Sequence, residues 1–341
     1  MGRAKRGWYS QFRGSNHLIS RITNGDFLLQ REEKEYFIKL MFKFAEGFFV
    51  NIHAYTVMSN HFHILATVNR EEVEKSTEAE LITRYKKMYS KDAEYPLGSY
   101  KTNGELIPDD DGGIERLRYR LGSTSKFIQE LKQTFSKWYN KKHNRKGYLW
   151  NDRFKMIIME KGEPELICSA YIDLNAVRAG IVKKPEDYRW CSVGLKVRNP
   201  RKAKLFLKAI IIKKEKTITT VDKKTGWLKQ SIKSQSEELS FPVYRAFLYN
   251  TGCEEVKGKA YIHPDIYQEA MKLNGKLNIG DKLKYRFRNL SEGIAAGSYK
   301  FIESIQIEHE RKFIKPRKIM NENKDEDIDC KLYSTRNLKP I

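Results

Sequence analysis

The stretch FVNIHAYTVMSNHFHILATV, residues 49–68, contains two apolar, β-branched and aromatic runs separated by Ser59-Asn60. Such runs are typical of β-strands, and this dipeptide favours a turn, so we predict two adjacent strands near the centre of a sheet. Side chains alternate between the two faces of a strand, which places His61 and His63 on one face and Phe62 on the other. We expect Phe62 to pack beneath helices while both imidazoles point into a cleft.

The two histidines are candidate metal ligands. Two neutral imidazoles about 7 Å apart, at twice the roughly 3.3 Å rise per residue, can share one divalent ion. Such a site needs a third ligand from another part of the chain. The alternative is that His61 and His63 are hydrogen-bonded structural histidines, and these two strands alone do not decide between the interpretations.

The flanking sequence extends the pattern of short strands and helices. We predict a strand at residues 17–23 and an amphipathic helix at 32–45. Together with the two strands of residues 49–68, they give the order β-α-β-β. Ser123 is predicted to cap a further helix with apolar residues at helical spacing. The run 145–155 combines aromatic and basic residues in a turn and a strand-like segment, which suits either stacked bases or a small hydrophobic cluster.

Changes in composition divide the chain. We predict one domain over residues 1–200, with a charged, Gly- and Pro-rich insertion at about 71–122 that holds one helix and a long loop. A basic linker is predicted at 201–239, followed by a mostly helical unit at 240–315 that is a candidate for DNA binding. Residues 316–341 are predicted to be a disordered tail.

The chain carries a net charge of +22 over 341 residues. An excess of this size is typical of proteins with a polyanionic partner, and nucleic acid is the first candidate. The alternative is a solvated, lysine-rich surface without such a partner.

The sequence disfavours a membrane protein, a secreted protein and a protein held together by zinc or disulfides. No stretch approaches the roughly 20 apolar residues that span a bilayer, and residues 1–8 lack the apolar core of a secretion signal, so we expect no membrane partner and a cytoplasmic, nucleoid-associated protein. The four cysteines are scattered and form no Cys-x-x-Cys pair, which disfavours a zinc ribbon or a disulfide framework.

A second region carries residues suited to chemistry. Glu163-Pro164-Glu165 predicts a helix start and Gly180 its end. Between them, Tyr171 and Asn175 lie four residues apart on one helix face. If that face covers the histidine pair, the Asn175 carboxamide is a candidate third ligand for Mg²⁺ or Mn²⁺, and the Tyr171 phenol lies beside a polarised phosphate. Otherwise Tyr171 is an ordinary tyrosine, one of 19.

Three runs of the sequence resemble segments of one protein family and occur in the same order as in that family. Residues 54–65 resemble the signature of HUH-type single-tyrosine transposases, in which a bulky apolar residue separates two histidines. Residues 171–182 resemble the catalytic helix of the REP-associated tyrosine transposase branch, and residues 147–154 resemble the segment between the two. Gly297-Ser298 with Phe301-Ile302 resembles the C-terminal extension of larger members. The resemblance implies an α+β fold: a ferredoxin-like antiparallel sheet with helices, the HUH endonuclease fold, plus a mostly helical C-terminal extension.

The resemblance also implies a chemistry. Tyr171 would attack a phosphodiester of single-stranded DNA next to a hairpin formed by palindromic repeats, giving a 5′-phosphotyrosyl link and a free 3′-hydroxyl that later rejoins strands. His61, His63 and Asn175 would hold Mg²⁺ or Mn²⁺. The protein would act as a monomer or a homodimer. Ala176 stands where members commonly have proline, so the catalytic helix is expected to run further toward Gly180.

Six cations are predicted to contact DNA phosphates: Arg13, Lys126, Lys132, Arg153, Lys155 and Arg178. Two alternatives to an active transposase remain open. The first is a DNA-hairpin-binding protein that has lost cleavage. The second is a replication or relaxase initiator with the same histidine pair, which usually carries a further ligand histidine or a second tyrosine; a helicase motif is missing here, and no Gly-x-x-x-x-Gly-Lys phosphate loop occurs.

Overall fold

A computed structural model describes residues 14–89, 98–100, 106–108, 112–221, 228–253, 255, 258–274, 295–308, 317–318 and 333–334. Over these residues the chain is α+β, with helices on both faces of a mostly antiparallel sheet. The predicted fold class is confirmed. Arg13, one of the predicted phosphate contacts, lies outside the described residues.

The helices and strands follow one another along the chain as β1 (Ser15–Arg21), α1 (Arg31–Gly47), β2 (Val50–Val57), β3 (His61–Val68), α2 (Arg70–Lys75), α3 (Glu78–Met88), β4 (Gly98–Tyr100), β5 (Leu106–Pro108), α4 (Gly112–Leu121), α5 (Thr124–Lys142), β6 (Lys155–Met159), α6 (Glu163–Asp173), α7 (Asn175–Arg178), α8 (Ser192–Arg198), α9 (Pro200–Phe206), β7 (Ile211–Val221), β8 (Leu228–Glu238), α10 (Phe241–Cys253), α11 (Pro264–Asn274), β9 (Ala295–Gly297), α12 (Tyr299–Glu308), β10 (Arg317–Lys318) and β11 (Tyr333–Ser334).

The main sheet has the strand order β10-β11-β9-β6-β1-β3-β2. Neighbouring strands are antiparallel except β6 and β9, which are parallel. The histidine strand β3 therefore lies between β1 and β2, inside the sheet. In the register of β1 and β3, Ile19 is opposite His63 and Arg21 is opposite His61.

The two faces of the sheet are covered by different helices. On one face the buried Phe62 ring lies 4.8 Å from the ring of Phe37 in α1 and 5.3 Å from that of Trp150, between ring centroids. On the other face Leu65 belongs to a core that includes α6 and α10. The strand period of two therefore directs His61 and His63 toward α6.

The predicted elements around the histidines agree with the structure. The strands predicted at 17–23, 49–58 and 61–68 and the helix predicted at 32–45 lie within two residues of β1, β2, β3 and α1. The strand-like segment predicted at 145–155 is misplaced, because β6 begins only at Lys155. Both faces of β6 are covered, and residues 156–159 are all apolar. They therefore lack the alternation of apolar and polar residues that identifies a half-buried strand in a sequence.

The insertion and the linker contain more regular structure than predicted. Among the described residues, the insertion at 71–122 includes the helices α2, α3 and α4, because apolar side chains such as Val73, Leu81 and Leu117 are buried in the main core. The predicted linker at 201–239 contains α9 and an antiparallel ribbon of β7 and β8.

The predicted C-terminal unit packs into the rest of the molecule. Helix α10 shares a core with α6, and β9 pairs in parallel with β6. Within the helix predicted over 291–313, residues 295–297 instead form β9, and Tyr299–Glu308 form α12, which buries Ile302 and Ile305 in the main core. The predicted disordered tail contributes the short strands β10 and β11 to the sheet edge. No helix in the described part of the chain is both long and apolar enough to span a membrane.

Candidate active site

His61 and His63 lie side by side on the α6 face of β3. Their ring centroids are 5.1 Å apart and the ring planes are nearly perpendicular, at 87°. His63 is buried, whereas His61 is half-buried at the start of the strand. The two imidazoles therefore border one site, with His61 on its more open side.

A third histidine, which the sequence analysis missed, contacts His63. The Nε2 atom of His17 lies 2.9 Å from His63 Nδ1, and the two rings stack with centroids 5.1 Å apart. His17 is fully buried on β1, two residues from Ile19, which is opposite His63. Its spacing from Ile19 and Arg21 indicates a shared strand face, but no sequence signal gives the register that brings this face to His63.

Two amide side chains hold the ring of His61. His61 Nδ1 lies 2.6 Å from the Asn60 Oδ1 atom, so this nitrogen carries the proton and donates to the carboxamide. The Asn175 side chain also forms a hydrogen bond with His61. Because Asn60 engages Nδ1, Nε2 is the nitrogen left for Asn175.

The environment keeps both site histidines neutral. Burial lowers the pKa of His61 to about 4; the positive charges of Arg21 and Lys259 act in the same direction, while the Asn175 hydrogen bond opposes them. Burial also lowers the pKa of His63 well below its usual value, and His17, His61 and Arg21 add to this effect. Neutral imidazole is the form that binds metals. Sequence analysis did not identify Arg21 or Lys259 as cations beside the site.

Tyr171 lies against the same histidines. Its ring makes edge contacts with His63 and His17, at centroid distances of 5.5 and 5.9 Å. The helix that carries it begins with Pro164 in its first turn. The predicted apolar stripe, Leu166, Ala170, Leu174 and Val177, is buried, whereas Tyr171 and Asn175 are half-buried. The helix therefore directs the phenol and the carboxamide toward β3.

The helix does not run unbroken to Gly180 as expected. Helix α6 ends at Asp173, and Leu174 links it to the single turn α7, which starts at Asn175. The chain then turns at Gly180, which has φ of 71° and donates its N–H to the Val177 carbonyl at 2.8 Å. The positive φ explains why glycine ends this segment. Tyr171 and Asn175 thus lie on opposite sides of a helix junction.

The donor set suits a divalent ion only if Asn175 is included. Within the described ranges, no group of three His, Cys, Asp or Glu side chains is arranged to hold a metal ion. His17 is hydrogen-bonded to His63 through Nε2 and is therefore assigned as a partner of that imidazole. By the chemistry of their donor atoms, His61, His63 and Asn175 are the residues that could hold a metal such as Mn²⁺ or Mg²⁺.

A groove of about 1130 Å³ lies beside the end of β1. Its lining includes the side chains of Gln129, Lys132, Gln133, Lys137, Tyr148 and Arg153. Tyr148 is 90% exposed, which is unusual for so large a ring. Thr23 also lines the groove, two residues after Arg21, which is opposite His61 in the sheet. The groove lies on the side of the sheet that carries Phe62 and Trp150, so a ligand that extends from it to the histidines has to pass around the end of β1.

The predicted phosphate contacts are dispersed. Lys132 and Arg153 line the groove, although the buried Lys132 donates to the Asp152 carbonyl at 2.9 Å. Lys126 and Lys155 are exposed on α5 and β6. Arg178 donates to the Thr251 carbonyl of α10 at 2.8 Å, so part of its hydrogen-bonding capacity holds two helices together. Whether these cations contact DNA stays a prediction.

Comparison with known proteins gives a weak structural similarity. No family model and no curated protein matches the sequence. A solved structure of a REP-associated tyrosine transposase bound to a REP hairpin is similar over 59% of this chain and 87% of that chain, with 15% sequence identity and a TM-score of 0.34. Values this low transfer neither activity nor residue roles, which have to be argued from the contacts of this chain.

Proposed function

We propose that this protein is a metal-dependent transposase that cuts single-stranded DNA next to a hairpin and rejoins strands through a 5′-phosphotyrosine at Tyr171. The observation that carries the proposal is the contact of the Tyr171 ring with His63, beside a second neutral histidine that is hydrogen-bonded to Asn175. A phenol, two imidazoles and a carboxamide in one site match the nucleophile and the ligands that the sequence resemblance implies.

His61, His63 and Asn175 would hold Mg²⁺ or Mn²⁺ at this site. When bound, the ion would withdraw charge from a phosphate oxygen and so make the phosphorus more open to attack. Asn60 and His17 orient the two imidazoles, because each engages an Nδ1 atom and leaves Nε2 toward the site. Such supporting hydrogen bonds commonly fix the tautomer of a ligand histidine.

Tyr171 would supply the nucleophile. Its phenolic oxygen loses a proton and forms a bond to phosphorus while the bond from phosphorus to the 3′ oxygen breaks; that oxygen takes up a proton and leaves as a 3′-hydroxyl. The phosphodiester energy is kept in the phosphotyrosyl link, so rejoining by a 3′-hydroxyl needs no nucleotide cofactor.

The surroundings of the site suit a DNA strand. Arg21 and Lys259 place positive charge beside His61, where a phosphate would lie. The groove offers the exposed Tyr148 ring for stacking on an unpaired base and Arg153 for a phosphate. The net charge of +22 would strengthen the attraction between the protein and the DNA phosphates.

The direct test uses purified full-length protein, Mn²⁺ and single-stranded DNA that carries a hairpin from the repeats flanking the gene. We expect a covalent protein–DNA adduct that is lost in Tyr171→Phe and kept in Tyr119→Phe, which changes an exposed tyrosine of α4. An adduct that persists in Tyr171→Phe rules out this nucleophile. Salt-dependent binding without any adduct would instead identify a DNA-hairpin-binding protein that has lost cleavage.

A further inference from the structure

A buried carboxylate lies at the junction between the two functional residues of the helix. Asp173 is the last residue of α6, two residues after Tyr171 and two before Asn175, and only 1% of it is exposed. A buried carboxylate is costly unless its oxygens are hydrogen-bonded. Its partners therefore show what fixes this junction.

Both carboxylate oxygens of Asp173 bind other elements. Oδ1 accepts hydrogen bonds from Ser192 Oγ at 2.5 Å and from the Val193 N–H at 3.0 Å, at the start of α8. Oδ2 accepts from the Tyr244 hydroxyl of α10 at 2.6 Å. The Lys196 Nζ atom lies 4.6 Å from the centroid of the Tyr244 ring and its charge also acts on Asp173. Helices α8 and α10 thus hold the end of α6 from two directions.

Helix α10 also holds the segment after the junction. Arg178, at the end of α7, donates to the Thr251 carbonyl near the end of α10. Gly252 lies so close to Leu174 that a Cβ atom at that position would be 3.0 Å from Leu174 Cδ2. Helix α10 therefore contacts three positions of this segment: Asp173, Leu174 at the junction of α6 and α7, and Arg178.

We propose that α10 is a positioning element of the active site, and that the Tyr244 hydroxyl, through Asp173, sets the placement of Tyr171 relative to Asn175 and the histidines. The inference rests on the proposed function and extends it to the C-terminal region. Tyr244 and Asp173 are positioning residues, since both are buried beneath the helix and act through it. The C-terminal region would then be required for chemistry even on DNA that it does not contact.

The chain offers a matched control for this role. Tyr249 is also a buried tyrosine of α10, but its hydroxyl donates to Glu186 Oε1 at 2.8 Å rather than to α6. Tyr244→Phe and Tyr249→Phe each remove one hydroxyl from the same helix and keep the ring. A purely structural role predicts that the two variants differ only in thermal stability.

The experiment measures adduct formation in full-length protein at saturating hairpin DNA and Mn²⁺, together with the DNA dissociation constant. We expect the first-order rate constant to fall about 10- to 100-fold in Tyr244→Phe, because small misplacements of reacting groups have effects of this order, while the dissociation constant stays within about twofold. Tyr249→Phe should keep both values. A wild-type rate in Tyr244→Phe, or an equal loss in both variants, would overturn the proposal.

A second measurement does not depend on catalysis. Amide hydrogen exchange of the segment 171–178 should be faster in Tyr244→Phe than in wild type and unchanged in Tyr249→Phe, under conditions where both variants are folded. If wild-type protein forms no adduct, the proposed function fails, and exchange still decides whether Tyr244 orders this segment. Unchanged exchange in Tyr244→Phe contradicts the positioning role whatever the activity.

Discussion

His17 Nε2 and His63 Nδ1 lie 2.9 Å apart across two neighbouring strands. If His63 binds a metal through Nε2, its proton must be on Nδ1, and His17 must accept it. A histidine outside the His-x-His motif would then select the tautomer of a histidine within it. The same arrangement gives a third histidine at the site a role that does not require it to be a ligand.

Removal of the His17 ring should weaken metal binding. We expect His17→Ala to lower the Mn²⁺ affinity about 10- to 100-fold, as is typical when the partner of a ligand histidine is lost. His17→Gln, which keeps an acceptor for the His63 proton, should retain most of the affinity. Isothermal titration calorimetry provides the measurement, with the exposed His263→Ala as control. Unchanged affinity in His17→Ala would show that His63 is oriented without it.

The stability of the metal-free protein should depend on pH through His61. Its pKa is about 4 in the folded protein and 6.5 in an unperturbed histidine, because burial disfavours the charged ring. Between these values the unfolded chain binds more protons, so stability is fully present above pH 6.5 and falls as the pH is lowered toward 4.

Urea unfolding at pH 7, 6, 5 and 4 in the presence of EDTA measures this dependence. We expect the decrease in unfolding free energy to be smaller in His61→Gln than in wild type, with the remainder due to His63 and other groups. His263→Gln should follow the wild-type curve. An identical slope in His61→Gln and wild type would mean that His61 titrates normally in the folded protein.

Tyr148 is expected to stack on an unpaired base. Its ring is 90% exposed at the groove, and loss of one stacking ring costs about 1–3 kcal/mol in single-strand binding, or roughly 5- to 150-fold in affinity. Fluorescence anisotropy with single-stranded DNA should show this loss in Tyr148→Ala. Tyr119→Ala, at another exposed tyrosine, should bind like wild type. Equal binding by all three proteins would place the DNA outside this groove.

Phe62 should contribute to stability from the face opposite the metal ligands. It is fully buried against Phe37 and Trp150, so Phe62→Ala should lower the free energy of unfolding by about 3–5 kcal/mol. Val68→Ala, at the half-buried end of the same strand, should cost clearly less. Chemical denaturation compares the two. A small effect at Phe62 would contradict the assignment of faces along β3.

The sequence predicted the local parts of the site well. Alternation along β3 and the four-residue spacing from Tyr171 to Asn175 depend only on neighbouring residues, and the structure has β3 at His61–Val68 and both helix residues on a half-buried stripe. The insertion and the linker were harder to predict because their apolar residues are sparse and regular structure there depends on distant packing surfaces.

By itself, the sequence determined the α+β class, through the order of its strands and helices and the family resemblance, and the face of β3 that carries His61 and His63, through the period of one strand. It also predicted that Tyr171 and Asn175 share one face, although the helix breaks between them. Only the tertiary structure decided that His17 contacts His63, that Arg21 is opposite His61, and that Tyr244 holds Asp173. These relationships depend on strand register and helix packing between segments up to 71 residues apart. Local periodicity does not encode that register, so the residues that orient the site became visible only once the chain was folded.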